Sequence, residues 1–221
     1  MQNYSSSDPD GKYANKQALR QRFLLRDEYK PIVAYVGRLD EQKGVHLIRH
    51  ALFYALQQGA QFVLLGSSPN AKIQSDFWDI KNQLNDNPDV HLELEWDAGL
   101  GHLIYAGADI LVMPSMFEPC GLAQLIAMKY GTVPAVRAIG GLADTVFDRD
   151  HSDQPWELRN GYVFHQTDNA AVESALQRAI GLWFAFPDQF RELMVNGMKA
   201  DYSWADSGQH YLNIYEHIRH R

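Results

Sequence analysis

From residue 31 onward the chain alternates short apolar runs with longer segments whose apolar residues recur every three or four positions. This rhythm constrains the fold more than any other feature. The runs PIVAYVG (31–37), AQFVLLG (60–66), VHLELEW (90–96), ADILVMPS (108–115) and TVPAV (132–136) read as strands. Val45, Ile48, Leu52 and Leu56 share one helical face in a segment that stops at Gly59, and Ile73, Phe77, Ile80 and Leu84 mark a second helix. GLAQLIAMKYG supplies a helix between the last two runs. Strands that are short and apolar, each followed by a helix, predict an α/β fold. Its sheet is parallel and doubly wound, with helices on both faces.

Two segments stand outside the rhythm. Residues 1–30 read as a Ser/Asp/Pro/Gly linker running into a leading helix that ends near Leu25. Residues 148–160, DRDHSDQPWELRN, read as a polar insertion before a strand at GYVF. Residues 168–220 are mostly helical, with breaks near Pro187 and at DYSW. The domain proper is therefore expected over 31–221, as one compact unit.

Composition excludes several function classes. The 221 residues carry a formal charge of −7, and Lys and Arg are scattered rather than striped, so no nucleic-acid partner is expected. No apolar run approaches the roughly 20 residues that span a bilayer, so no membrane partner is expected. No secretory signal precedes the first charges, and the opening residues are not Arg-rich as in an organelle transit peptide. A single cysteine, Cys120, excludes an internal disulfide and suits a reducing compartment. His46 and His50 in HLIRH are four residues apart but lack a third ligand, and no metal is expected.

In open parallel sheets ligands bind beyond the carboxyl ends of the strands. Three loops there carry chemistry. In GRLDEQKG (37–44), Arg38 and Lys43 sit between Gly37 and Gly44 just ahead of a helix, a pattern suited to a diphosphate. The alternative is a solvated loop with Arg38 paired to Asp40 or Glu41. In PSMFEPCGLAQ, Gly121 opens a helix whose Leu122 and Ala123 N–H groups can donate. Glu118 in that loop is a general acid, an acceptor for sugar hydroxyls or a surface charge. Cys120 is a nucleophile or a small buried apolar residue. In AIGGLADTV, Gly140 and Gly141 form a tight turn that serves as a phosphate contact or as a turn alone. Trp96 ends its strand and offers a face to a base or packs in the core. The residues by themselves reach a nucleotide-phosphate site of unspecified reaction.

The segments VGRLDEQKGVHLI, FVLLGSSP, PSMFEPCGLAQLIAMKYGTVPAVRAIGGLADTV and DYSW resemble those of bacterial glycogen synthases and plant starch synthases. The resemblance runs from about Asn3 to the end of the chain. It implies the GT-B fold, two Rossmann-like domains with the active site between them, of which this chain would be the C-terminal, nucleotide-sugar-binding one. The N-terminal domain would precede residue 1. The implied reaction is retaining transfer of glucose from ADP-glucose to the non-reducing end of an α-1,4-glucan, without cofactor or metal. Partners would be ADP or ADP-glucose, the glucan acceptor and the missing domain, and the isolated half would bind the donor but transfer little.

By the same resemblance Arg38 and Lys43 hold the diphosphate and stabilise departing ADP. Glu118 contacts the transferred glucose; with phosphates on the 121–123 amides and the two cations, charge repulsion would turn it away from them, toward the neutral sugar's hydroxyls. Gly37 and the backbone of Cys120, Gly121 and Leu122 touch sugar or phosphate, Trp96 replaces a tyrosine stacked on adenine, and Gly140 and Gly141 lie near the sugar and acceptor. Ala123 departs from the family's threonine, a loss of about 1.5–3 kcal/mol of phosphate binding unless Gln124 or a water compensates. Ile126 stands where related transferases carry a second glutamate. The compartment would be the plastid stroma for a eukaryotic source and the cytoplasm for a bacterial one. Two alternatives remain beside this reading: a transferase using another nucleotide sugar, and a non-catalytic module that binds glucan or a partner.

Overall fold

A computed structural model describes residues 1–219, apart from the side chains of Asp206 and Ser207. Six parallel strands form one sheet in the order β3-β2-β1-β4-β5-β6. They are β1 (Ile32–Val36), β2 (Gln61–Leu65), β3 (Val90–Glu93), β4 (Ile110–Met113), β5 (Val133–Arg137) and β6 (Tyr162–Phe164). The helices are α1 (Gly11–Phe23), α2 (Val45–Gln57), α3 (Ala71–Gln83), α4 (Ala98–Gly107), α5 (Ala123–Lys129), α6 (Gly141–Thr145), α7 (Asn169–Ala185), α8 (Pro187–Lys199) and α9 (Trp204–Arg219). α4 was not foreseen. Its mean composition is apolar, and Asp97 caps it by accepting the Leu100 N–H at 2.9 Å.

The central strands are buried on both faces, which is why they are apolar nearly throughout, whereas the edge strand β3 alternates, with Val90 and Leu92 buried and His91 and Glu93 half-buried. Along β1, Val33 and Tyr35 join the core shared with α2, α3, α7 and α8. Ile32, Ala34 and Val36 join the core shared with α1, α4 and α5. β3 lies at the sheet edge and ends at Glu93, shorter than the sequence pattern suggested, so Trp96 stands three residues beyond it.

The leading residues are bonded into the body rather than standing off as a linker. Tyr4 Oη donates to the Tyr130 carbonyl at 2.8 Å, and the Gln2 N–H donates to Asn15 Oδ1 at 2.8 Å. α1 packs along α4 and buries Lys12, Lys16 and Arg20. The insertion at 148–160 is tied down by Asp148, which receives Arg178 at 2.8 and 3.0 Å and the Val163 N–H at 2.6 Å. The helical tail breaks at Pro187 and again before Trp204, as the sequence suggests; residue 220 lies outside the described residues. α9 exposes Tyr211, Leu212, Ile214, Tyr215 and Ile218. No helix among the described residues is long and apolar enough to cross a membrane.

Candidate functional site

The chain leaves β1 towards β2 on one side and reaches β4 on the other, so strand order reverses between β1 and β4. That switch point opens a crevice at the carboxyl ends of both strands. A cavity of about 210 Å³ lies there, lined by Gly37, Arg38, Lys43, Glu118, Gly121, Leu122 and Ala123, together with Tyr35 and Ser115. A larger hollow of about 530 Å³ lies between α2 and α3 around His46, Arg49 and Phe77. The smaller one is the better candidate, because it combines the switch point with convergent charged groups and loop backbone.

Asp40 organises the first loop. Its Oδ1 accepts the Lys43 N–H at 3.0 Å, capping a single 3₁₀ turn over Glu41–Lys43, while its Oδ2 lies 3.3 Å from Arg38 Nη2. One carboxylate therefore fixes the loop backbone at Lys43 and pairs with Arg38, while the Lys43 ammonium is held elsewhere, by Glu118. The Arg38 side chain is 64 % exposed, so its pairing with Asp40 is weak and leaves most of its donors available. Beneath it, Tyr35 Oη donates to the Arg38 carbonyl at 2.6 Å. Burial, reinforced by Asp40 and Glu118, raises the Tyr35 pKa and keeps the hydroxyl a donor.

The second loop is clamped from two sides. Arg137, at the end of β5, donates from Nε to the Ser115 carbonyl and from Nη2 to the Met116 carbonyl, each at 2.7 Å. From the first loop, the Gln42 carbonyl accepts the Met116 and Phe117 N–H groups at 2.7 and 3.2 Å. Glu118 is thereby held inward, only 8 % exposed, which removes the surface-charge reading. Its Oε2 accepts Lys43 Nζ at 2.5 Å and Ser115 Oγ at 3.1 Å. The two loops meet here, and Lys43 pairs with the Glu118 carboxylate.

Several named residues sit elsewhere than expected. Cys120 is exposed, so it is not a buried apolar residue. Trp96 is 63 % exposed, which removes the core reading, and it does not line the cavity. Gln124 is fully buried with its Nε2 3.0 Å from the Gly121 carbonyl and 3.2 Å from Thr145 Oγ1. Its donors fasten the second loop to α6, so it is not placed to stand in for the hydroxyl that Ala123 lacks. Gly140 and Gly141 back the second loop rather than line the cavity. The Gly141 N–H donates to the Pro119 carbonyl at 3.1 Å. Gly140 has φ +48°, and a Cβ there would stand 2.0 Å from the Glu118 carbonyl oxygen; one on Gly141 would stand 1.9 Å from that of Cys120. Only glycine permits this backbone-to-backbone approach.

Sequence reasoning missed Tyr35, Asp40's double role, Ser115 and Arg137. Position was the available signal, since Tyr35, Ser115 and Arg137 all fall at or just past the carboxyl ends of β1, β4 and β5. Among the described residues no group of three or more His, Cys, Asp or Glu side chains is arranged to hold a metal ion.

With this geometry in place, the chain can be compared with known proteins. It is 61 % identical over 216 residues to a glycogen synthase of Nitrosococcus oceani, covering 98 % of this chain and 44 % of the relative. Against a glycogen synthase of Methylococcus capsulatus it is 63 % identical over 210 residues, covering 95 % and 43 %. It thus spans less than half the length of the curated relatives it matches. The catalytic domain of starch synthase IV from Arabidopsis thaliana, solved with ADP and acarbose, superposes with a TM-score of 0.94 at 41 % identity. That match covers 99 % of this chain and 45 % of the other. The family model for glycosyl transferases group 1 matches residues 16–192, which contain the whole sheet and all three site loops. By that match, the chain belongs to the group 1 glycosyl transferases.

Proposed function

We propose that this domain binds the nucleotide diphosphate of ADP-glucose at the β1/β4 cavity and forms the donor half of a glycogen or starch synthase. The carrying observation is the convergence of Arg38 and Lys43 on the switch-point crevice, in a loop whose backbone Asp40 caps. The relatives' names and the ADP and acarbose held by starch synthase IV support the same reading.

The proposed reaction breaks the bond between the glucose anomeric carbon and the β-phosphate oxygen, and the electron pair stays on ADP. Arg38 and Lys43 stabilise that growing charge, an electrostatic contribution that is strongest where water is excluded. The acceptor's terminal 4-hydroxyl forms the new bond on the same face and passes its proton to the departing β-phosphate oxygen of ADP, so configuration is retained. Glu118 accepts hydrogen bonds from glucose hydroxyls once Lys43 turns to the phosphate, with Ser115 holding its other lone pairs. No metal takes part in this scheme. The remaining length of the relatives corresponds to a second domain that would close over the cavity and position the glucan.

Calorimetry with ADP on the 221-residue chain tests the reading. Binding is expected for the wild type and should weaken at least tenfold in Arg38→Ala and in Lys43→Ala. A folded wild type that binds no ADP would overturn it. A competition between ADP-glucose and UDP-glucose decides the base preference, with ADP-glucose expected to win.

A further inference from the structure

Gln124, in the first turn of α5, stands between the donor cavity and the third loop and is fully buried. Its Nε2 faces three oxygens: the carbonyls of Gly121 at 3.0 Å and Cys120 at 3.3 Å, and Thr145 Oγ1 at 3.2 Å. The Thr145 hydroxyl donates its proton to the Gly141 carbonyl at 2.6 Å, so towards Gln124 it can only accept. All three neighbours are therefore acceptors, and they fix which end of the amide turns to them. The Oε1 on its other side is buried and has no hydrogen-bond partner among the described residues.

An orphaned buried oxygen weighs against the folded state, and a methionine would fill the same space without one. What the amide adds is its pair of N–H groups. They act on the wall of the donor cavity, which Gly121 lines together with Leu122 and Ala123. Gly121 has φ +72°, and a Cβ on it would stand 2.5 Å from Gln124 Oε1. The amide thus takes the place of a side chain at 121 while it holds that residue's carbonyl.

Thr145 is itself braced. Its carbonyl accepts Asn160 Nδ2 and Tyr202 Oη at 3.0 Å each, so the end of the 148–160 insertion and the DYSW segment both grip it. Asn160 is buried, and its Oδ1 accepts the Phe147 N–H at 2.8 Å. The Gly141 N–H secures the second loop at the Pro119 carbonyl, and the Gln124 amide secures the next two residues.

We propose that Gln124 is a positioning residue for donor binding, with Thr145 as its anchor. It touches no donor atom and acts by holding the Gly121–Ala123 wall at the spacing the donor requires. The proposal rests on the reading of the cavity as a nucleotide-sugar site. It gives the third loop, the polar insertion and the DYSW segment one common task, bracing the cavity from behind.

ADP calorimetry, thermal melts and nitrogen–proton correlation spectra of the 221-residue chain test it, with Gln124→Met, Thr145→Val and Thr145→Ser. ADP should bind about tenfold more weakly to Gln124→Met and about threefold more weakly to Thr145→Val, whereas Thr145→Ser, which keeps the hydroxyl, should stay within about twofold of the wild type. Gln124→Met should melt within about 4 °C of the wild type, because it loses the orphaned oxygen along with the bonds. The amide resonances of Gly121, Leu122 and Ala123 should move in Gln124→Met while those of Gly37 and Arg38 stay in place. ADP binding unchanged in Gln124→Met, or weakened equally by Thr145→Val and Thr145→Ser, overturns the proposal. So does a loss of binding that merely follows a larger fall in melting temperature. A wild type that binds no ADP would strike the donor-site reading instead; unmoved resonances at 121–123 would then overturn the positioning role separately.

Discussion

The ion pair between Lys43 and Glu118 leads to an expectation opposite to the usual one for a site carboxylate: Glu118→Gln should tighten ADP binding. Lys43 Nζ lies 2.5 Å from Glu118 Oε2, with side chains 24 % and 9 % exposed. A diphosphate recruiting Lys43 must weaken that pair and accept a nearby negative charge. Solvent-exposed pairs are worth up to about 1 kcal/mol, and breaking buried ones costs about 3–5 kcal/mol. A partly screened pair like this one falls between, at about 1–2 kcal/mol after discounting for solvent. Relieving it should tighten ADP about 5- to 30-fold. The amide keeps the shape of the side chain and can still bond to Ser115 Oγ. Calorimetry at fixed ionic strength reads the effect, and a double-mutant cycle assigns it. In a Lys43→Met background Glu118→Gln should have much less effect, since the competition for Lys43 is gone. Equal or weaker ADP binding by Glu118→Gln would refute the reasoning.

Two further expectations concern stability. Gly141→Ala places a methyl 1.9 Å from the Cys120 carbonyl oxygen and must push the second loop outward, at about 1–3 kcal/mol. Gly181→Ala, in the middle of α7 with nothing within 4 Å of the new methyl, should stabilise by about 0.5–1 kcal/mol. Thermal melts should therefore order the proteins Gly181→Ala, wild type, Gly141→Ala, and any other order would count against the packing described. Lys12 supplies a pH dependence. Its Nζ is bonded to the Tyr130 carbonyl and Thr132 Oγ1 at 2.9 Å each, and burial lowers its pKa to about 7, with Asp109 opposing and Lys16 assisting. Between pH 7 and the ordinary lysine value the unfolded chain binds the extra proton, so this residue's contribution to stability improves as pH rises through that window. Wild type should gain stability relative to Lys12→Met from pH 7 to 10 in urea titrations; a difference that stays flat would contradict the shift.

Strand and helix identities were legible because their cause is local. A strand buried on both faces has to be apolar along its whole length, and a helix covering it must repeat its apolar residues every three to four positions. α4 escaped notice because AGLGHLIYAG is apolar nearly all round and shows no such face. Arg38, Lys43 and Glu118 could be picked out because charges beside glycine-bearing loops at strand ends are chemically unusual. Their partners could not: Tyr35, Ser115 and Arg137 are ordinary residues in sequence, and Arg137 acts on carbonyls more than 20 residues away.

By itself the sequence determined the layered parallel sheet, the apolar faces of α2 and α3, and the three loops that gather at one end of it. Only the tertiary structure decided which of those loops touch. The Gly140–Gly141 turn supports the second loop instead of lining the cavity, and Gln124 fastens the same loop rather than reaching a phosphate. Lys43 closes on Glu118 because the reversal of strand order brings the ends of β1 and β4 side by side. That approach depends on long-range pairing of strands more than 70 residues apart, and no periodicity in the chain records it.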